Sequence, residues 1–281
     1  MPELAEVEFF RRRWSVGHGA RVLAVRLQEG KKVFRGTRTA LLKAHLTGAR
    51  LLSSETAAKQ MLFRFSGKGR IRAESGWLGI HLGMSGELRV EPRSYVPAKH
   101  DHFILVQAKR QLVFNDPRMF GGVLFCAGTK PPAWWTRIAP AILSKHFTTA
   151  AVAAFLHRRG RAPIKAVLLM QERFPGVGNW MADEILWRAG IHPALPAGVL
   201  SSRQIKRLHR ECRFVCRGAL RYNAGVGGKM PPVLNAYMPD SWLFNHRWAE
   251  GGLCPRTRKP LARAAIGGRT TCWSPARQKL R

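Results

Sequence analysis

The chain has 281 residues, 46% of them hydrophobic, enough for two domains and a sizeable core. Its 48 Lys and Arg against 16 Asp and Glu give a net charge of +32, far beyond what a solubilising surface needs. A polyanionic partner, bound with release of its counterions, is the expectation. No window reaches the roughly 18 apolar residues of a membrane span, no basic-then-apolar leader opens the chain, and no basic helix carries a lipid-facing stripe. A cytoplasmic protein with no membrane partner is expected, nucleoid-associated if bacterial. Five cysteines, Cys126, Cys212, Cys216, Cys254 and Cys272, form no disulfide framework and fit a reducing compartment. Cys212 and Cys216 share a helix face and read as buried free thiols.

The chain opens with Met1-Pro2-Glu3-Leu4-Ala5-Glu6-Val7-Glu8. Once Met1 is removed, Pro2 presents a secondary amine of pKa near ~8 rather than the ~10.4 of lysine, so a useful fraction is nucleophilic at neutral pH. Attack on an aldehyde-like carbon would give a charged iminium, an electron sink that labilises the neighbouring C–H bond. The Glu3 carboxyl is placed to supply or take up the proton. The plainer alternative is a proline that opens a helix, since Leu4, Val7, Phe10 and Trp14 recur at helical spacing.

From Arg21 to about Gly128 short alternating apolar runs are broken by Gly, Ser and Pro. Val22–Leu27, Gln60–Phe65, Trp77–Leu82 and His102–Val106 read as strands at sandwich-like spacing. Lys130-Pro131-Pro132-Ala133-Trp134-Trp135 marks a boundary. Helical periodicity follows over Thr148–Arg159, Pro163–Phe174, Trp180–Ala189 and Ser202–Tyr222. Pro175-Gly176-Val177-Gly178-Asn179 joins two helices, and the N–H groups at the second helix's start are expected to point outward as an anion site for one DNA phosphate. An Asn that merely caps the helix is the simpler alternative. At the end, Leu261–Ile266 and Arg269–Trp273 flank Gly267-Gly268 as a tight hairpin.

The opening Pro2–Glu8, His81-Leu82-Gly83-Met84-Ser85-Gly86, Asn115-Asp116-Pro117-Arg118-Met119-Phe120-Gly121, Pro175–Asn179 and Gly267-Gly268-Arg269-Thr270-Thr271 follow one another over the whole chain. In that order they resemble the formamidopyrimidine-DNA glycosylase/endonuclease VIII family. The resemblance implies an α+β multidomain fold: residues 1–130 as an N-terminal helix and two-layer β-sandwich, 131–240 as a helix-two-turn-helix domain, and 241–281 as a β-hairpin finger, with DNA in the cleft between the domains. It implies Pro2 as nucleophile, Glu3 as the acid for the sugar ring oxygen, Glu6 near the lesion pocket, and Lys59 as the basic residue that assists catalysis and holds a phosphate. Asn179 and Arg269 match the phosphate clamp. Met84, Arg118 and Phe120 match the trio that fills the duplex when a base is extruded, a task suited to apolar side chains and one hydrogen-bond donor.

Three departures stand out. Where the family carries paired Cys-x-x-Cys zinc ligands, this chain has Cys254-Pro255-Arg256-Thr257 and Ser274-Pro275-Ala276-Arg277, so only Cys254 matches and no cofactor or metal is expected. A hairpin alone is marginal, so Leu261, Ile266 and Trp273 must pack on the domain. Ala5 replaces the usual proline, and Gly225–Asp240 does not resemble the loop that covers oxidised guanine. The expected function is a monomeric bifunctional DNA glycosylase/AP lyase of base excision repair. It would act on double-stranded DNA containing a damaged base or abasic site, with β,δ-elimination and oxidised purines as first choice. An endonuclease VIII-like enzyme for oxidised pyrimidines is the alternative within the chemistry, and a non-catalytic damaged-DNA or RNA binder is the alternative outside it.

Overall fold

The computed structural model describes residues 2–67 and 74–280. Met1, whose removal the expected Pro2 nucleophile would need, lies outside the described residues. The chain folds as two compact units, one of Met1–Pro2 and Glu6–Ile138, the other of Glu3–Ala5 and Ala139–Arg281.

In the first unit, α1 (Leu4–Trp14) carries its apolar residues at the spacing read from the sequence. Its last residue does most of the packing: Trp14 is fully buried, with its ring 5.1 Å from Phe63 and 6.4 Å from Phe103, which lie on different sheets. The Trp14 indole N–H reaches the Arg89 carbonyl at 3.0 Å, so the buried donor is satisfied. One antiparallel sheet has the order β1 (Ala24–Leu27), β6 (Asp101–Val106), β7 (Arg110–Asn115), β5 (Glu87–Pro92). The other runs β2 (Leu51–Ala57), β3 (Gln60–Phe65), β4 (Ser75–His81), β8 (Gly122–Gly128). Sequence periodicity locates β1, β3, β4 and β6. The partners β2, β5, β7 and β8 carry weaker alternation and are supplied by pairing, and a short helix α2 (Thr39–Leu46) precedes β2. A single turn, α3 (Ala133–Thr136), covers the proline-rich boundary.

The second unit holds α4 (Thr149–Arg158), α5 (Ile164–Leu168), α6 (Asn179–Ala189), α7 (Ser202–Ala224) and the hairpin β9 (Ala262–Ile266)/β10 (Arg269–Trp273). The Thr148 hydroxyl caps α4, and Ser201 with Gln204 forms a capping box at α7. The helix expected over Pro163–Phe174 is shorter than its periodicity suggests. Gln171 explains the break: its Nε2 donates to Leu169 and Val177 carbonyls at 2.8 and 2.9 Å, and its Oε1 accepts from Gly176 N at 3.0 Å. That side chain offers the backbone an alternative to the helix ladder. Gly267 and Gly268 have φ of +61° and +72°, the two left-handed positions a type I′ hairpin turn demands. Of the three residues expected to pack on the unit, Leu261 lies on a buried cluster of Trp187, Leu243, Cys254 and Cys272, and Trp273 meets the His192 ring edge-on at 5.3 Å. Cys212 and Cys216 are buried and unbridged. Among the described residues no helix is long and apolar enough to cross a membrane.

Candidate active site and nucleic-acid interface

Two helix-terminal problems meet at Glu3. The first N–H groups of α6 have no intrahelical acceptor, and Glu3, only 2% exposed, is a carboxylate that must find donors. Each solves the other: Glu3 Oε2 accepts from Gly178 N (2.8 Å) and Met181 N (3.1 Å), and Oε1 accepts from Trp180 N (2.8 Å). The favourable end of the helix dipole faces the same charge. A side chain at 178 would collide with the Glu3 carboxyl, which is why the turn needs glycine there. The N–H groups read from the sequence as an outward anion site are therefore taken: the anion at this helix terminus is the protein's own. Leu4 N also donates to Gly176 O at 2.9 Å, so the residue after Glu3 is held to the same turn. Pro2, half-buried, is the next residue back.

Asn179 is partly exposed at the start of α6. Its Nδ2 donates to the Thr270 carbonyl at 2.9 Å, which brings it beside Arg269, an exposed residue at the mouth of the hairpin. Its Oδ1 is buried without a hydrogen-bond partner among the described residues. The main-chain carbonyl of Asn179 is held at 2.6 Å by Lys165, a fully buried lysine whose pKa is lowered by burial, with the Asp183 carboxylate opposing that shift.

In the first unit, Lys59 sits on the β2–β3 turn, after Ala58 at φ +53°. The β3–β4 register sets Gln60 opposite His81, and burial first, then the Lys59 charge, lowers the His81 pKa, with Asp116 pulling the other way. His81 Nδ1 accepts from Gly83 N at 3.1 Å, which leaves the proton of the neutral ring on Nε2. Glu6, one turn after Glu3, is buried.

Asp116 organises the remaining trio. It is fully buried, and its Oδ1 accepts from the Ser85 hydroxyl (2.9 Å) and Arg118 N (3.3 Å), while Oδ2 accepts from Gly121 N (2.7 Å). One carboxylate thus ties the 82–86 turn to the 116–121 loop. Gly83, at φ +62°, backs so closely onto the Phe120–Gly121 peptide that a side chain could not enter. Met84 (37% exposed), Arg118 and Phe120 (48% exposed) project from this fastened pair of loops. The Arg118 guanidinium lies 4.9 Å from the Phe120 ring centroid. Met84 and Phe120 are thus large apolar side chains left partly in solvent.

Sequence reasoning missed His81, Asp116, Lys165 and Asp183 as site-building residues. A signal was present for Lys165, the one charged residue of the short apolar helix α5.

A structural zinc ion needs four soft or imidazole ligands in a tetrahedron. At the four corresponding positions stand Cys254, Thr257, Ser274 and Arg277. Burial would raise the Cys254 thiol, but hydrogen bonding by Thr257 and the Trp187 indole, 3.3 Å from Sγ, lowers it to about 7. Arg277 is a cation whose charge is coupled to Cys254, and among the described residues no group of three or more His, Cys, Asp or Glu converges on a metal position. This donor set does not fit zinc.

A unit of two antiparallel sheets behind an N-terminal helix, and a helical unit in which Glu3 caps α6 and a hairpin lies beside the helical turn, define the class: an α+β fold with a helix-turn-helix and a β-hairpin finger. The sequence model of the formamidopyrimidine-DNA glycosylase N-terminal domain matches residues 1–123, and that of the family's H2TH domain matches residues 138–229. The chain belongs to the formamidopyrimidine-DNA glycosylase family. It is 35% identical over 294 residues to the formamidopyrimidine-DNA glycosylase of Chloroflexus aggregans, covering 100% of this chain and 99% of that one. It is 34% identical over 288 residues to the one from Methylobacillus flagellatus, covering 99% and 97%. Among solved structures it is similar to the Lactococcus lactis enzyme bound to DNA containing N7-benzyl-Fapy-dG, with TM-score 0.84, 26% identity and coverage of 99% and 100%. It is also similar to the same enzyme with abasic-site DNA, with TM-score 0.84, 25% identity and coverage of 99% and 99%.

Proposed function

We propose that the reaction runs through the amine of Pro2. The chain is a DNA glycosylase with AP lyase activity that acts on oxidised bases in base excision repair. In the proposed chemistry, Pro2 nitrogen attacks C1′ of the damaged nucleotide as the base departs and the sugar ring opens. The amine proton leaves with the departing base, Glu3 gives a proton to the ring oxygen as the C1′–O4′ bond breaks, and C1′ is left as the Pro2 iminium. The iminium withdraws electrons from C2′, whose proton is then removed, and β- followed by δ-elimination expels the two flanking phosphates. Lys59 adds positive charge near the reacting phosphodiester, Glu6 borders the lesion pocket, and Asn179 and Arg269 hold the strand. Met84, Arg118 and Phe120 occupy the gap left in the duplex. The finger works without metal, the partner is double-stranded DNA with a damaged base or abasic site, and the enzyme acts as a monomer.

The observation that carries this reading is the three-donor seat of Glu3 on the α6 terminus, since it fixes the residue bonded to Pro2. A reacting group held by rigid backbone loses little entropy in reaching its transition state. Oxidised purines are the first substrate class, on the pattern of Met84, Arg118 and Phe120. The Lactococcus lactis protein has also been seen with DNA containing an oxidised pyrimidine, so pyrimidine lesions are the second. The test is borohydride trapping on an abasic duplex with a free and with an N-terminally extended chain. Both should bind DNA, and only the free chain should be trapped. An adduct of equal yield on the extended chain would remove Pro2 from the mechanism. Excision from a panel of single-lesion duplexes then ranks the bases.

A further inference from the structure

Asp183 takes no part in the chemistry above, yet its buried carboxylate accepts four hydrogen bonds. Its Oδ1 accepts from Lys165 Nζ at 2.5 Å. Its Oδ2 accepts from Arg247 at 2.6 Å (NH2) and 3.1 Å (Nε), and from the main-chain N–H of Cys272 at 3.0 Å. The side chains of Asp183 and Lys165 have no exposure and that of Arg247 has 5%. Such a cluster is a poor source of stability, because desolvating three charges costs about what their attraction returns, and apolar residues of the same volume do as well. What it supplies is direction. The donors come from three separate segments: α5, the stretch before the finger, and β10.

The bonds also close a loop. Lys165 holds the Asn179 carbonyl as well as Asp183, Asp183 holds Cys272 N, and two residues back along β10 the Thr270 carbonyl receives the Asn179 amide. Arg269 is the next residue. The distance between Asn179 and Arg269 is therefore set by this ring of hydrogen bonds, on a finger whose residues do not make a zinc site.

We propose that Asp183 is a positioning residue for DNA binding, its buried carboxylate holding the hairpin and the helical turn in the register that lets Asn179 and Arg269 grip one strand together. The proposal rests on the assignment of those two residues to phosphates. The experiment is duplex affinity by fluorescence anisotropy across a potassium chloride series, for the full chain and for Asp183→Asn, Arg269→Ala and the double variant. Arg269→Ala should reduce the slope of log affinity against log salt by about one unit. Asp183→Asn adds one unit of positive charge, which by long-range attraction alone would steepen the slope. Positioning predicts the opposite sign, a shallower slope, and no further loss in the double variant. A variant with a lower melting temperature and an unchanged slope would show that Asp183 only stabilises, and would overturn the proposal. An unchanged slope in Arg269→Ala would instead remove the clamp assignment beneath it. Should Asp183→Asn not fold, Arg247→Lys preserves charge and the Lys165–Asp183 pair while weakening the grip on Oδ2. It should shift the slope the same way, also without adding to Arg269→Ala, and an unchanged slope there equally overturns the proposal.

Discussion

Replacing Phe120 by Ala separates a void-filling residue from a core one. The ring is 48% exposed. Full burial of a Phe is worth about 1.5–3 kcal/mol, so the half-buried ring contributes about 1 kcal/mol by area. The Arg118 and Lys32 cations, 4.9 and 5.8 Å from its centroid, add about 0.5–1 kcal/mol each at an exposed site. The stability loss is then about 2 kcal/mol, a fall of roughly 5 °C in Tm, against the ~3–5 kcal/mol of a buried Phe→Ala. The catalytic loss has a different origin. Extruding a stacked base costs a few kcal/mol, and if the ring offsets ~2–3 kcal/mol of that, excision from a duplex should slow roughly 30- to 150-fold. An abasic site in single-stranded DNA has no stack to break, and nicking there should stay within about twofold. Single-turnover rates on the two substrates, measured below the variant's Tm, decide the matter. Equal slowing on both, or a Tm drop of core size with an unchanged rate ratio, would return Phe120 to the core.

Elemental analysis of the purified chain should find no stoichiometric zinc, and EDTA should change neither Tm nor nicking; one zinc per chain would mean that the finger's ligands lie elsewhere. Gly178→Ala should cost at least tenfold in turnover, because the added methyl must push the Glu3 carboxyl from its seat; unchanged trapping kinetics would count against that seat. Glu184 is fully buried beside Arg188, and burial raises its pKa from the ordinary 4.5 to about 7 despite that partner and the Phe244 N–H. The folded state therefore holds a proton that the unfolded chain releases, so this group's contribution is complete below pH 4.5 and is lost as pH rises to 7, by on the order of 3 kcal/mol. Glu184→Gln, which mimics the protonated acid, should match the parent near pH 5 and exceed its Tm at pH 8; parallel Tm profiles would refute the shift.

Legibility in the sequence followed the strength of local signals. The first helix, the two-glycine hairpin and the long α7 were readable because caps, left-handed glycines and apolar spacing agree within a few residues. Strands β2 and β5 were not: β2 reads Leu-Leu-Ser-Ser-Glu-Thr-Ala, and its place comes from pairing with β3. The ordered motifs pointed to candidate site residues but not to their attachments. That Glu3 is seated on the N–H groups of Gly178, Trp180 and Met181 spans some 175 positions of chain, and no local pattern carries it. The outward anion site expected at that turn failed for this reason. The electrostatics of the helix terminus were legible in the glycine turn, whereas the identity of the anion that would arrive there was not.

Asp116 has a bearing on how such a protein changes over generations. Because one carboxylate fastens both loops by bonds to Ser85 and to the main chain of Arg118 and Gly121, none of its partners is the side chain of Met84, Arg118 or Phe120. Those three side chains are tenants of a backbone they do not maintain. Selection is free to exchange them one at a time and so retune what the loops present, while the loops keep their shape. The same separation makes this pair of loops a natural place to begin a library, since side chains can be varied there without loss of the bonds that shape the loops.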